Sequence, residues 1–97
     1  MIKHIVLWKL RGAESERQGY IDTFTKNTEY LKSILPQIRK AEIGGNFNEG
    51  DGFHIGIYCE FDNRADLDAY LNHPEHLKIR AYINSVTYDK TVFDYEI

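Results

Sequence analysis

The sequence IKHIVLWKL, residues 2–10, decides the fold of this chain. β-Branched and aromatic residues dominate it, and its side chains are expected to alternate between the two faces of a β-strand. One face carries Ile2, His4, Val6, Trp8 and Leu10, and the opposite face carries Ile5 and Leu7. Both faces of the predicted strand are therefore largely apolar.

A helix is predicted to follow this strand. Gly12 breaks the strand pattern, and Ser15 with Gln18 has the spacing of a capping box. Apolar residues then recur at helical spacing until Pro36, before which the helix is expected to stop. The predicted buried stripe consists of Ile21, Phe24, Thr28, Leu31 and Ile34 or Leu35.

Further strands are predicted in the rest of the chain. A short, bulged second strand spans Ile38 to Ile43 and is closed by Gly44 and Gly45. Phe53 to Phe61 alternates more clearly, and Thr87 to Tyr95 forms the last strand. The apolar face of the third strand, expected to meet the helices, comprises Phe53, Ile55, Ile57, Cys59 and Phe61.

A second helical region lies between the third and fourth strands. Asp62 or Asn63 is placed to cap it, Pro74 interrupts it, and a further stretch runs from Glu75 to about Asn84. The resulting order, βαββαβ, predicts an α+β, ferredoxin-like fold in which an antiparallel sheet carries its helices on one face. Residues 1–97 are expected to form a single domain.

The other face of the predicted sheet has no helix to cover it. Ile5, Leu7 and Tyr58 are expected to lie there, and an apolar patch of this kind usually marks a partner surface. A second copy that stacks sheet against sheet with twofold symmetry buries such a patch. The sequence therefore predicts a homodimer formed through the open sheet face, a dimeric α/β barrel.

Composition narrows the classes of partner. The formal net charge is −3 and charges of both signs are interspersed, so there is no basic stripe for nucleic acid. Apolar runs are strand-sized and no signal pattern precedes them, so no membrane association and a cytoplasmic location are expected. The single cysteine, Cys59, falls inside a predicted strand and is expected to behave as a small hydrophobe.

The segment Tyr70-Leu71-Asn72-His73-Pro74-Glu75-His76 is the candidate functional site. Pro74 forces a break, so His73 ends one helical segment and His76 lies in the first turn of the next. A partly buried imidazole is suited to general acid or base catalysis, and the Tyr70 phenol is suited to hold a developing oxyanion. His76 is therefore predicted to be a general base assisted by Tyr70.

A cavity next to this segment is also predicted. Helix-on-sheet layers often leave an apolar pocket with a few convergent polar groups, which is the usual form of a small-molecule site. The residues expected to contact a small-molecule ligand are His4, Val6, Trp8, Phe24 and Ile57.

Two other interpretations of the histidines stay open at the level of sequence. His73 and His76 are also suited to satisfy backbone groups at the Pro74 break without any substrate. A metal site joined by His4 is the other alternative, but no carboxylate or thiol completes a familiar ligand pattern. We expect neither a metal nor a cofactor.

The chain resembles the stress-responsive dimeric α/β-barrel proteins, often called Dabb. The likeness spans the whole chain, and the Tyr-x-x-His-Pro-x-His run is its most specific element. The matching residues are Ile2 to Leu7, Glu60-Phe61, Asp66-Leu67, Tyr70, His73 to His76 and Phe93 to Tyr95.

The resemblance implies a ferredoxin-like monomer whose sheet pairs with a second copy to close a barrel. In plant polyketide cyclases similar to olivetolic acid cyclase, the second His of the run is the general base and the Tyr assists, without any cofactor. Those roles correspond to His76 and Tyr70, with His4 at a cavity position. Trp8, Thr28 and Ile55 differ from the cyclase pattern in the cavity, so the polyketide substrate is not carried over.

The function expected from these features is a cofactor-independent cyclase, isomerase or lyase step on a small carbonyl or aromatic compound. The alternative is a non-catalytic small-molecule-binding or stress-protection module.

Overall fold

The structure, a computed structural model, describes residues 1–48, 50 and 52–97. The element order is β1 (Ile2–Leu10), α1 (Arg17–Ile34), β2 (Lys40–Gly45), β3 (Ile55–Phe61), α2 (Arg64–Asn72), α3 (Pro74–Val86) and β4 (Thr87–Glu96). The four strands form one antiparallel sheet in the order β2-β3-β1-β4. The predicted ferredoxin-like α+β fold is confirmed, and the second helical region is divided at Pro74 as expected.

The strand register gives the sheet two chemically different faces. Side chains that lie directly across an antiparallel pair share a face, and successive side chains alternate. His4 lies across from Cys59 and Asp94, and two residues further along β1 Val6 lies across from Ile57 and Val92. We call this side, which the helices cover, the inner face. The opposite side, the outer face, carries Ile5, Leu7, Tyr58, Phe93 and Tyr95.

The core lies between the inner face and the helices. Phe24 of α1 is only 1% exposed, and its ring packs edge-on against Trp8 of β1 at 5.6 Å and against Tyr82 of α3 at 6.2 Å between centroids. Leu67 and Tyr70 are the buried residues of α2, whereas α3 is only partly buried. The helical layer is therefore closed over β3 and looser over β4. None of the helices in the described part of the chain is long and apolar enough to cross a membrane.

Several predicted boundaries are confirmed. Helix α1 ends at Ile34, before Pro36, and Leu35 follows in an extended conformation. Asn63 is the residue that caps α2, since its side chain accepts a hydrogen bond from the backbone N–H of Asp66 at 2.9 Å. His73 lies between α2 and α3, and Pro74 is the first residue of α3, where its missing N–H costs nothing.

Other local predictions are wrong. The capping box does not form: Ser15 lies in a short 3₁₀ turn, Glu14–Glu16, and α1 starts at Arg17 without a side-chain cap. The strand β2 begins at Lys40 and β3 at Ile55, because their pairing starts at Gly45 opposite Ile55 and continues without a bulge. The register shift instead lies between β1 and β4, at Lys9 and Leu10.

Candidate functional site

A cavity of about 240 Å³ lies between the inner face of the sheet and the three helices. All the residues predicted to act on or contact a ligand line this one cavity: His4, Val6, Trp8, Phe24, Ile57, Tyr70 and His76. Its walls are mainly apolar, and Trp8 and Phe24, whose rings pack edge-on, both line it. The predicted contact set is thus brought together in space, from strands and helices far apart in sequence.

The break at Pro74 gives the two neighbouring histidines different positions. The backbone of His73 is extended, and its Nδ1 accepts a hydrogen bond from the N–H of Glu75 at 3.1 Å. His73 therefore caps the N-terminus of α3 and lies outside the cavity lining. His76, one turn later, points its ring into the cavity.

His76 is held in one tautomer by the backbone. Its Nδ1 lies 3.1 Å from the carbonyl oxygen of Leu71, and because a carbonyl only accepts, Nδ1 carries the proton. In the neutral ring the lone pair is then on Nε2. Burial lowers the pKa of His76 and the positive charge of Arg80 lowers it further, against the hydrogen bond to Leu71, which raises it. The neutral, proton-accepting form is therefore favoured at neutral pH.

Tyr70 lies between the two cavity histidines. Its ring centroid is 4.4 Å from that of His76 and 6.2 Å from that of His4, and Phe61 packs against it at 5.2 Å. Burial, together with the neighbouring Cys59, raises the pKa of Tyr70 far above its ordinary value. The phenol therefore keeps its proton, and its chemical capacity is that of a hydrogen-bond donor.

His4 is paired with a carboxylate that sequence reasoning did not include in the site. The His4 Nδ1 lies 2.5 Å from Oδ1 of Asp94, on the strand next to β1. Since a carboxylate at neutral pH accepts, Nδ1–H donates and the carboxylate orients the ring. Asp94 alternates onto the same face of β4 as Val92 and Glu96. This alternation predicts its contact with His4 only when the register between β1 and β4 is known.

The cavity opens to solvent between α3 and β4. Its exposed polar edge, which we call the rim, consists of Arg80 and Asn84 from α3 and Lys90 from β4. Sequence reasoning also missed these residues. The signal for Arg80 was its spacing of one turn from His76, and the signal for Lys90 was its place on the same face of β4 as Asp94.

The other potentially reactive groups near the cavity are not arranged for metal or thiol chemistry. Within residues 1–48, 50 and 52–97 there is no cluster of three or more His, Cys, Asp or Glu side chains that could hold a metal ion. Cys59 is fully buried beneath Tyr70, and burial raises its pKa to about 12. A thiol in this environment is neither a ready nucleophile nor a ready metal ligand.

Known proteins resemble this chain in both sequence pattern and fold. A family model described as the stress responsive A/B barrel domain matches residues 2–97. A dimeric protein of unknown function with a ferredoxin-like fold, from Bacteroides fragilis, is 36% identical, with a TM-score of 0.88 over 99% of this chain and 95% of that chain. Among curated proteins, no sequence matches the chain significantly.

More distant solved structures share the fold. A dimeric ferredoxin-like protein of unknown function from Jannaschia sp. is 22% identical, with a TM-score of 0.83 over 99% of this chain and 98% of that chain. A hydroxynitrile lyase from Passiflora edulis is also 22% identical, with a TM-score of 0.82 over 99% of this chain and 92% of that chain. Both lie in the identity range in which similarity supports the fold alone.

Proposed function

Because this chain belongs to the stress responsive A/B barrel domain family, we propose that its cavity is a cofactor-independent active site for a small carbonyl or aromatic compound. In this proposal His76 is the general base of a cyclase, isomerase or lyase step. The reaction begins with removal of a proton next to a carbonyl group, and Nε2 of His76 is the atom that receives it.

A single observation carries the proposal: the hydrogen bond from His76 Nδ1 to the Leu71 carbonyl. It engages Nδ1 with the backbone and leaves Nε2 as the free, basic nitrogen of a ring that lines a partly enclosed cavity. The lowered pKa of His76 keeps that nitrogen unprotonated at neutral pH, which a base requires. A histidine that only capped a helix needs neither of these properties, and His73 supplies that function already.

Tyr70 and His4 complete the proposed apparatus. When a proton leaves the carbon next to a carbonyl, negative charge develops on the oxygen, and a positioned donor stabilises it. The Tyr70 phenol, which stays protonated and lies against the His76 ring, is the nearest donor. His4, oriented by Asp94, is a second polar group in the same part of the cavity. We assign both residues to binding the substrate oxygen.

The dimensions of the cavity restrict the substrate. Its volume of about 240 Å³ is at or below the lower end of the roughly 300–1,000 Å³ that is usual for ligand pockets. This favours a compound with one ring or a short chain over a long polyketide. The hydroxynitrile lyase shares the fold, which is consistent with a lyase step, but the specific reaction is not inherited from it.

The general-base role is testable without knowing the natural substrate. We expect the protein to accelerate the exchange of the protons next to the carbonyl of phenylacetone with deuterium from solvent, followed by ¹H NMR. His76→Gln should lose the acceleration by roughly 10²–10⁴-fold. His73→Asn is the matched control, because it removes an imidazole three residues away and keeps a good helix cap. Equal rates for the protein and His76→Gln would exclude His76 as the base.

A non-catalytic small-molecule-binding or stress-protection module is the alternative function. The observation that favours it is the apolar character of most of the cavity wall, which binds a ligand without any chemistry. NMR titration of the His76 ring separates the two. A ligand that binds but leaves the His76 pKa unchanged, with no exchange activity, supports the binding module.

We also propose that the protein is a homodimer formed through the outer face. The similar proteins from Bacteroides fragilis and Jannaschia sp. are described as dimeric. Phe93 is 60% exposed on this face and stacks on Tyr95 at 5.3 Å between ring centroids, in line with Ile5 and Tyr58. An apolar strip of this kind on a sheet suits the twofold packing of a second copy.

A further inference from the structure

The rim of the cavity carries a charge that the proposed reaction does not use. Among the residues that line the cavity, the fully charged side chains are Arg80, Lys90 and Asp94. Asp94 is engaged by His4, whereas Arg80 and Lys90 make no ion pair with any residue in the part of the chain that the structure describes. The opening is therefore positively charged on a protein whose formal net charge is −3.

These two cations differ from the other basic side chains nearby. Lys78, also on α3, is ion-paired with Glu75 at 3.3 Å, and Lys9, next to Lys90 in the sheet, lies 3.8 Å from Asp89. Each of these two lysines thus has an acidic neighbour. Arg80 and Lys90 instead project from two separate elements toward one opening. Unpaired cations that converge from both sides of a pocket mouth are arranged for an anionic ligand.

The cavity has a polar end and a cationic end. Helix α3 leads directly into β4, so the last turn of α3 lies beside the beginning of β4, and His76 lies toward the Asp94 end. Along the helix, Arg80 is about 6 Å from His76. Along the strand, Lys90 is about 13 Å from Asp94. A small molecule therefore spans the distance from the cationic rim to the base.

We propose that the substrate of this site is an anion, with a carboxylate or phosphate group held by Arg80 and Lys90 while its reacting carbon lies at His76. The inference rests on the proposed function, and it narrows the substrate from a small carbonyl compound to an acidic one. The planar guanidinium of Arg80 matches either anion with two parallel hydrogen bonds, and the Lys90 ammonium adds a point charge.

Binding of the anion also changes the base. The positive charge of Arg80 is one of the causes that lower the pKa of His76. A bound carboxylate or phosphate offsets that charge, so His76 becomes a stronger base when the substrate is present. A bound acidic substrate therefore increases the proton affinity of His76, the base that removes its proton.

Matched probes test the charge requirement in the intact protein. Benzoate and phenyl phosphate carry the anion, and benzamide is the neutral counterpart of benzoate with nearly the same shape. Binding is followed by the NMR shifts of the Tyr70 and His76 rings. We expect the anions to bind roughly 10- to 100-fold more tightly than benzamide, with an affinity that falls as salt is raised. A preference between benzoate and phenyl phosphate identifies which anion the rim selects.

Variants locate the anion. Arg80→Gln with Lys90→Gln should remove most of the preference for benzoate over benzamide, whereas Lys78→Gln, on the same helix but outside the cavity, should retain it. Equal affinity for benzoate and benzamide, or an unchanged preference in the double variant, overturns the inference. Absence of binding by all the probes at millimolar concentration overturns it as well.

Failure of this inference is distinguishable from failure of the proposed function. If the unsubstituted protein shows no preference for benzoate over benzamide but does show His76-dependent exchange of phenylacetone, the acidic substrate class is overturned and the general base is retained. Anion binding at the rim without any His76-dependent exchange would instead overturn the general base.

Discussion

The two faces of the sheet are formed by the same strands, but the helices cover the inner face and leave the outer face exposed. On the inner face, β1 contributes His4, Val6 and Trp8 to a cavity that the protein's own helices enclose. On the outer face, the same strand contributes Ile5 and Leu7, which no helix covers. The inner face places polar groups in an apolar wall, and the outer face places an apolar strip beside a surface ion pair, Lys3–Glu60 at 2.7 Å.

This difference shows how alternation separates function from assembly. A strand side chain changes face with each residue, so adjacent residues of β1 serve the cavity and the proposed dimer without competing for space. The two faces should therefore respond to substitution independently: one in the stability of the monomer and its site, the other in subunit association.

The largest effect is expected in the core of the inner face. Phe24→Ala removes a ring that contacts both the sheet and α3, and should lower the free energy of unfolding by about 3–5 kcal/mol. Phe93→Ala on the outer face is the matched control, and in a monomeric background it should cost less than about 1 kcal/mol because its ring is exposed. Urea denaturation measures both, and equal losses would contradict the division between the faces.

The second effect concerns association. Ile5→Glu places a carboxylate in the middle of the outer face, between Tyr58 and Phe93, and in a twofold dimer the partner places a second such charge in the same interface. We expect the dimer dissociation constant to rise by roughly 100-fold or more. Sedimentation at micromolar concentration measures this. Tyr30→Glu, at an exposed position on α1, should leave the dimer intact; a dimer that survives Ile5→Glu excludes this face as the interface.

The smallest effect is the pH dependence of stability. Burial lowers the pKa of His76 and of His54, whose Nδ1 accepts a hydrogen bond from the N–H of Leu10 at 2.8 Å. Because the folded protein binds these protons less readily than the unfolded chain, stability should fall as pH drops below the ordinary histidine pKa of about 6.5. Thermal unfolding between pH 8 and 5 measures the slope, and His76→Gln should reduce it. A melting temperature that rises on acidification would contradict the assigned directions.

Features of the fold and the site that depend on neighbouring residues alone could be predicted from the sequence. Alternation in β1 assigns His4, Val6 and Trp8 to one face, and the Pro74 break separates His73 from His76. Asp94 and Lys90 were not found, because their roles depend on which strand pairs with β1, and in what register, across more than 80 residues of chain. Arg80 had a local signal, its spacing of one turn from His76, but that spacing points to the cavity only once the direction of the His76 side chain is known. The failed capping box at Ser15 has a local cause: the chain enters α1 through a 3₁₀ turn, which moves the helix start beyond the expected cap.

The buried thiol of Cys59 is a built-in probe of how often the protein core opens to solvent. This residue is 0% exposed and is a neighbour of Tyr70, and burial raises its pKa to about 12, which leaves almost no thiolate at neutral pH. A thiol-specific dye can therefore react with Cys59 only when the helices transiently separate from the sheet. The rate of labelling reports how often the helical layer lifts from the sheet, and a ligand that seals the cavity should slow it.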